Sequence, residues 1–248
     1  MTDYFIEFYK RLDRQGPGDD KYTEMVFRLL EQLPPNPHIL DVGCGSGQQT
    51  LALARIAECE ITAVDVYDCL LNKLNENARK ENLRGTITTL NASMFELPFD
   101  DEQFDLIWSE GAIYIMGFEK GLKEWNRFLK PGGYMVASEI TWLRKDIPSE
   151  IMDFWNAAYP KIGTVIQKLS VIEKCGYRPF AHLTLPQYGW QKNYYDLMEA
   201  QKQDYLNQYG HVEEARQVLE SEMEVEMSLY QKYKDYYSYV FYIMQKIR

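Results

Sequence analysis

Four carboxylates in this 248-residue chain stand where short apolar runs give out. Asp41 and Asp65 close the runs at 39–42 and 61–64, Glu110 follows the run at 104–108, and Glu139 lies near the end of the run at 134–140. Carboxylates so placed can hold hydroxyl groups, pair with a cation or take up a proton. Between the first two lies Gly43-Cys44-Gly45-Ser46-Gly47, and residues 48–57 then read as a helix. A strand, a glycine turn and a helix in this order bring backbone amides and a helix N-terminus up to a ligand. The glycines allow a sharp turn and close approach of the backbone.

The dinucleotide-binding fingerprint is G-x-G-x-x-G/A. Here the spacing is Gly43-x-Gly45-x-Gly47, and Gln48 holds the third position of that pattern. Asp41, just before the loop, would repel a pyrophosphate but suits a ligand that carries an ammonium or sulfonium group. Asp65 lies about 20 residues beyond the loop, the offset at which an acidic residue reaches ribose hydroxyls in such sheets. The plainer reading of Asp65 is a helix N-cap before Val66-Tyr67-Asp68.

Asp41-Val42-Gly43-Cys44-Gly45-Ser46-Gly47 resembles the first motif of class I S-adenosylmethionine-dependent methyltransferases. Ser93-Met94-Phe95-Glu96-Leu97-Pro98-Phe99 resembles the family's adenine-side segment, and Leu129-Lys130-Pro131-Gly132-Gly133 its turn before the fifth strand. The resemblance therefore covers 39–140. It implies S-adenosyl-L-methionine as the cofactor, with S-adenosyl-L-homocysteine as the product. Its binding set would be Asp41, Gly43, Cys44, Gly45, Asp65 and Glu110, with Ser93 and Met94 on the adenine. Where Ser93 stands the family usually has an acid, and a hydroxyl accepts from an exocyclic amine less strongly. Arg14, in the turn-rich Arg14-Gln15-Gly16-Pro17-Gly18, would meet the carboxylate of the cofactor as a planar fork donor; a plain interhelical loop is the competing reading.

Glu110 and Tyr114 lie just past the carboxyl end of a central parallel strand, and Glu139 at the end of the fifth, so all three border the ligand crevice. They are the candidate catalytic groups, while Glu110 as a solvated turn carboxylate is the competing reading. Two crevice carboxylates point to an amine as acceptor, with Tyr188 and Trp190 as an aromatic wall; core packing is the plainer role for those rings. Methyl transfer needs alignment and exclusion of water rather than covalent machinery. Of His38, His182 and His211, none is placed for catalysis.

The elements that must position these residues follow from periodicity. Helical spacing marks 4–13, a second helix through Leu33 and further helices at 48–57 and 70–78. Apolar, β-branched runs mark strands at 38–42, 60–65, 86–90, 104–108 and 134–140. Beyond 140 the pattern gives helices at 149–158 and 165–175, a sixth strand at 178–185, a charged helical stretch at 194–233 and an apolar closing strand at 236–245. The alternation of strands and helices gives an α/β chain, and the resemblance implies a Rossmann-like, seven-stranded, mostly parallel sheet with helices on both faces and an antiparallel last strand. The chain divides into an N-terminal helical cap at 1–36, a cofactor-binding core at 37–185, a helical insertion at 186–235 and the closing strand at 236–248.

With Lys+Arg of 27 against Asp+Glu of 37, the formal charge is −10, which opposes tracking along a phosphate backbone. A small-molecule acceptor is expected, with no nucleic acid and no membrane as partner, in a monomer or homodimer. Cys44, Cys59, Cys69 and Cys175 form no C-x-x-C pair, so free thiols rather than a metal site are expected. No apolar run is long enough to span a bilayer and no leader is apparent, so a cytoplasmic location is expected. Two other functions compete: a cofactor-binding but inactive relative serving regulation or assembly, and an NAD-dependent oxidoreductase, which Gln48 and Asp41 disfavour.

Overall fold

In the computed structural model, which describes residues 3–247, helices α1 (Asp3–Tyr9) and α2 (Asp20–Phe27) precede the sheet. Asp19 caps α2, its carboxylate accepting from the amide of Tyr22 at 3.0 Å. The strands are β1 (His38–Val42), β2 (Glu60–Asp65), β3 (Thr86–Asn91), β4 (Phe104–Ser109), β5 (Leu129–Trp142), the two-residue β6 (Gly163–Thr164), β7 (Tyr177–Thr184) and β8 (Tyr237–Lys246). They lie in the order β3-β2-β1-β4-β5-β8-β7, with β6 beside the end of β5. The pairs around β1, β2, β4 and β5 are parallel, and β8 runs antiparallel to both β5 and β7. This is the layered, mostly parallel sheet with an antiparallel last strand that the sequence leads one to expect.

Side chains alternate across the pleat, and both faces are covered. Ile39, Leu106, Trp108, Tyr134 and Val136 enter one core cluster, while Leu40, Val42, Ile107, Met135 and Ala137 enter another. Every residue of β4 is buried, as befits a central parallel strand. Each large apolar side chain so sequestered stabilises by about 1.5–3 kcal/mol.

The connecting helices are α3 (Gln48–Ile56), α4 (Asp68–Ala78), α5 (Ile113–Met116), α6 (Phe118–Trp125), α7 (Ser149–Ala158) and α8 (Val165–Lys174). A capping box between Thr164 and Gln167 starts α8, and Gly176 at φ 85 follows its end, as expected of a helix stop. The segment before β8 holds α9 (Gln187–Trp190), α10 (Asp196–Tyr209), α11 (Glu213–Val218) and α12 (Glu226–Tyr233), with π-helical turns at Gln191–Tyr195 and Leu219–Val225.

Four local readings change. The first helix stops at Tyr9 rather than near residue 13, and the second at Phe27 rather than Leu33. Lys130-Pro131-Gly132-Gly133 is not a separate turn but lies within the 14-residue β5, beside a register irregularity at Phe104 and Leu106. The short β6, too brief for any periodicity to betray, pairs Gly163 and Thr164 with Thr141 and Trp142. Among the described residues no helix is long and apolar enough to cross a membrane.

Candidate functional site

A cavity of about 240 Å³ opens where the chain turns out of β1, β2 and β4, the crevice beyond the carboxyl ends of the strands. Gly43, Cys44 and Gly45 form its floor. Asp65 and Tyr67 lie to one side, with Ser93, Met94 and Phe95 beyond them. Glu110, Gly111 and Tyr114 close the other side, and Phe5, Tyr9, Arg14 and Gln15 cover it.

The floor is shaped as much by neighbours as by its own φ angles. Gly43, Gly45 and Gly47 have φ of 75°, 55° and 80°. A Cβ on Gly45 would stand 2.4 Å from Gln15 Oε1. That oxygen accepts from the Ser46 amide at 2.8 Å, and the Gln15 side-chain amide donates to the carbonyls of Tyr9 and Leu12. The segment before α2 is therefore pinned to the glycine loop.

Asp65 faces the cavity with its carboxylate held from behind. The Gly45 amide donates to Oδ2 at 2.9 Å and the Tyr67 amide to Oδ1 at 3.0 Å. Burial pushes its pKa above the usual carboxylate range, against those amides. Glu110 is more enclosed: Thr23 donates to Oε1 at 2.6 Å, the Trp108 indole to the same oxygen at 2.9 Å, and Arg14 to Oε2 at 3.3 Å. Burial raises its pKa too, with Arg14 opposing. Arg14, 8% exposed, also pairs with Asp20 at 2.6 Å.

Residues 40–137 match the family model described as a methyltransferase domain. That stretch holds the glycine loop, Asp65 and Glu110, and over it the chain is similar to class I S-adenosylmethionine-dependent methyltransferases. It is 31% identical over 143 residues to an uncharacterised methyltransferase of Bacillus subtilis, covering 56% of this chain and 59% of that protein. It is 29% identical over 181 residues to a ubiquinone/menaquinone biosynthesis C-methyltransferase of Idiomarina loihiensis, covering 70% of each. The chain thus spans little more than half of the first of these relatives. In fold it is similar to an S-adenosylmethionine-dependent methyltransferase from Geobacter sulfurreducens crystallised with S-adenosyl-L-homocysteine, at a TM-score of 0.82, 18% identity and 98% coverage of both chains.

Arg14, Gly43, Cys44, Gly45, Asp65, Ser93, Met94, Glu110 and Tyr114 line one cavity. Asp41 does not. It is fully buried beneath the loop, accepting from the Thr50 hydroxyl at 2.5 Å and from the Gln49 amide at 3.2 Å. Its carboxylate ties the loop to α3 instead of meeting a ligand, and burial pushes its pKa up to about 7.

Glu139 also stands off the cavity wall. Its side chain is buried against α8, where Lys168 donates to Oε1 at 2.5 Å and Tyr159 at 2.7 Å. Among the described residues Oε2 has no hydrogen-bond partner. The side chain of Glu139 leaves β5 on the α8 side of the sheet, so proximity along the strand did not deliver it to the crevice.

The aromatic wall is not Tyr188 and Trp190. Tyr188 is at the surface, donating to Asp19, and Trp190 is buried between the rings of Tyr230 and Tyr239. The rings at the cavity are Phe5, Tyr9, Tyr67, Phe95 and Tyr114. The helical spacing at 4–13 gave no sign that Phe5 and Tyr9 of α1 would cover a ligand site. None of the histidines lines the cavity, and among the described residues no group of three or more metal-binding side chains occurs.

Proposed function

We propose that this chain transfers a methyl group from S-adenosyl-L-methionine to a small-molecule acceptor. The observation that carries the reading is the order of groups round one cavity: Arg14 and Glu110 at one end, the glycine loop and Asp65 in the middle, Ser93 and Met94 at the other. The residues fit an amino acid, a ribose and an adenine in that sequence. Asp65 would accept from two ribose hydroxyls, and the amides of Gly45 and Tyr67 keep its carboxylate aimed. Arg14 offers its fork to a carboxylate, and Glu110, partly neutralised by it, faces the ammonium side. Met94 supplies apolar cover for the base, while Ser93 is a weaker partner than an acid because its hydroxyl also accepts from the Phe95 amide at 3.3 Å.

When bound, the cofactor supplies a methyl group already activated on a sulfonium, so an in-line displacement needs alignment above all. The chain contributes that alignment by pinning Gln15 to the glycine loop, which excludes water from the site. Tyr114 and Glu110 flank the side from which an acceptor would approach. The small-molecule acceptor is supported by the enclosed cavity and the acidic charge.

Calorimetry with S-adenosyl-L-homocysteine tests the reading. Binding lost in Asp65→Ala supports it; heat with NAD and none with S-adenosyl-L-homocysteine overturns it. Labelled-methyl transfer to an extract of small molecules then tests turnover, and binding without any transfer would favour the inactive, regulatory alternative.

A further inference from the structure

Tyr239, on β8, is held as if its hydroxyl had a task. Its backbone pairs with Ile140 of β5 on one side and its carbonyl accepts from the Leu185 amide at 2.8 Å. Its ring stacks on Trp190 at 5.2 Å between centroids and 18° between planes. Trp190 is itself fixed, its indole donating to the Ser238 hydroxyl at 2.9 Å. Yet among the described residues the Tyr239 hydroxyl makes no hydrogen bond, and the side chain keeps partial exposure deep in the protein.

What that hydroxyl faces is Gly111, part of the cavity wall. A Cβ on Gly111 would find only Tyr239 within 4 Å, its hydroxyl at 3.8 Å and Cζ at 3.9 Å. Gly111 has φ 61, and its amide donates to the Ser138 hydroxyl at 2.8 Å. Tyr239 is not itself on the cavity wall, and with no side chain at Gly111 only that glycine stands between the cavity and the phenol. The phenols of Tyr9 and Tyr114, both on the cavity wall, are among the neighbours that influence Tyr239.

The carboxylates at this end are already committed: Glu110 to Arg14, Thr23 and Trp108, and Glu139 to Lys168 and Tyr159. A cationic amine would have to compete with Arg14 or Lys168 for these carboxylates, whereas an oxygen would find a neutral donor. We propose that Tyr239, reaching through the gap at Gly111, binds the acceptor, and that the acceptor is a neutral, ring-sized molecule presenting an oxygen to this hydroxyl. Burial pushes the Tyr239 pKa well above its ordinary value, so the group stays protonated and donates. The inference replaces the amine expected from sequence and rests on the methyltransferase reading.

The test uses the full chain saturated with S-adenosyl-L-homocysteine, and two probes of similar size, p-cresol and benzylamine, followed by saturation-transfer NMR. The expected result is that p-cresol binds the wild type, binds at least threefold more weakly to Tyr239→Phe, and outcompetes benzylamine. Unchanged p-cresol affinity in the variant, no p-cresol binding to the wild type, or preferred binding of benzylamine would each overturn the proposal. Calorimetry with S-adenosyl-L-homocysteine on both proteins separates the two readings: it fails on the wild type only if the methyltransferase proposal fails, and equal affinity in Tyr239→Phe shows that the variant is folded. Gly111→Ala, whose Cβ would stand 3.8 Å from the phenol oxygen, is expected to weaken p-cresol in the same direction.

Discussion

Arg14 Nη1 stands 3.3 Å from Glu110 Oε2, joining residues 96 apart in the chain across the mouth of one cavity. Both side chains are almost fully enclosed, 9% and 4% exposed. The pair makes the segment before α2 part of the site rather than a cover resting on it. Neither charge is left alone, since Arg14 also meets Asp20, which in turn meets Arg55 at 2.9 Å.

Replacing Arg14 by Ala is expected to weaken S-adenosyl-L-homocysteine by about 1.5–3 kcal/mol, the scale of hydrogen bonds to charged groups. Arg14→Lys should fall between, because an ammonium cannot present a planar fork. Calorimetry checks both, and affinity equal to wild type in Arg14→Ala would remove the residue from the proposed binding set.

For Asp65→Ala the expected loss in the same titration is about 1.5–3 kcal/mol. Asp65→Asn should lose less, since the amide oxygen can still accept from one hydroxyl. An Asn variant worse than Ala would mean that the Gly45 and Tyr67 amides, rather than a ligand, are what the carboxylate serves.

Asp41 gives a dependence on pH. Its folded value of about 7 lies above the ordinary 3.8 because burial disfavours the charged form. The native state therefore holds this proton more tightly than the unfolded chain, and stability falls as pH rises from about 4 to about 7. The drop is on the order of 2–4 kcal/mol. Urea unfolding of wild type and Asp41→Asn across that window measures it: the difference between the two proteins should shrink towards low pH, and a constant difference would refute the linkage.

Lys168 and Glu139 form a buried ion pair, 5% and 0% exposed. Lys168→Met leaves the carboxylate with Tyr159 alone and is expected to cost about 3–5 kcal/mol. Adding Glu139→Gln should recover part of that loss, because no uncompensated charge then remains. Thermal unfolding of the single and double variants decides; a double variant less stable than Lys168→Met would show that the carboxyl group itself is needed.

At Gly45, alanine would meet Gln15 and adopt φ 55, which costs an L-residue about 1–2 kcal/mol. Gly45→Ala is expected to release the segment at 14–18, seen as faster amide hydrogen exchange there. Exchange unchanged from wild type would mean that Gln15 does not hold the segment down.

What the sequence determined by itself is local in origin. The strands at 38–42, 60–65 and 104–108 announce themselves through short-range periodicity, and Asp65 through its offset from the glycine loop. Each such signal is set by a few neighbouring residues, as is the turn chemistry of Gly43, Gly45 and Gly47. The antiparallel closing strand was legible as an apolar run, but not what it would deliver. Only the tertiary structure sent the Asp41 side chain beneath the loop and Glu139 to Lys168. It also set Arg14 against Glu110 and packed Trp190 behind Tyr239. The physical reason is that a residue's type and position along a strand give its side of the pleat, while its partner depends on which helix or strand covers that side. β8 inserts between β5 and β7 after more than fifty intervening residues, and that pairing alone brings a phenol from the end of the chain to Gly111.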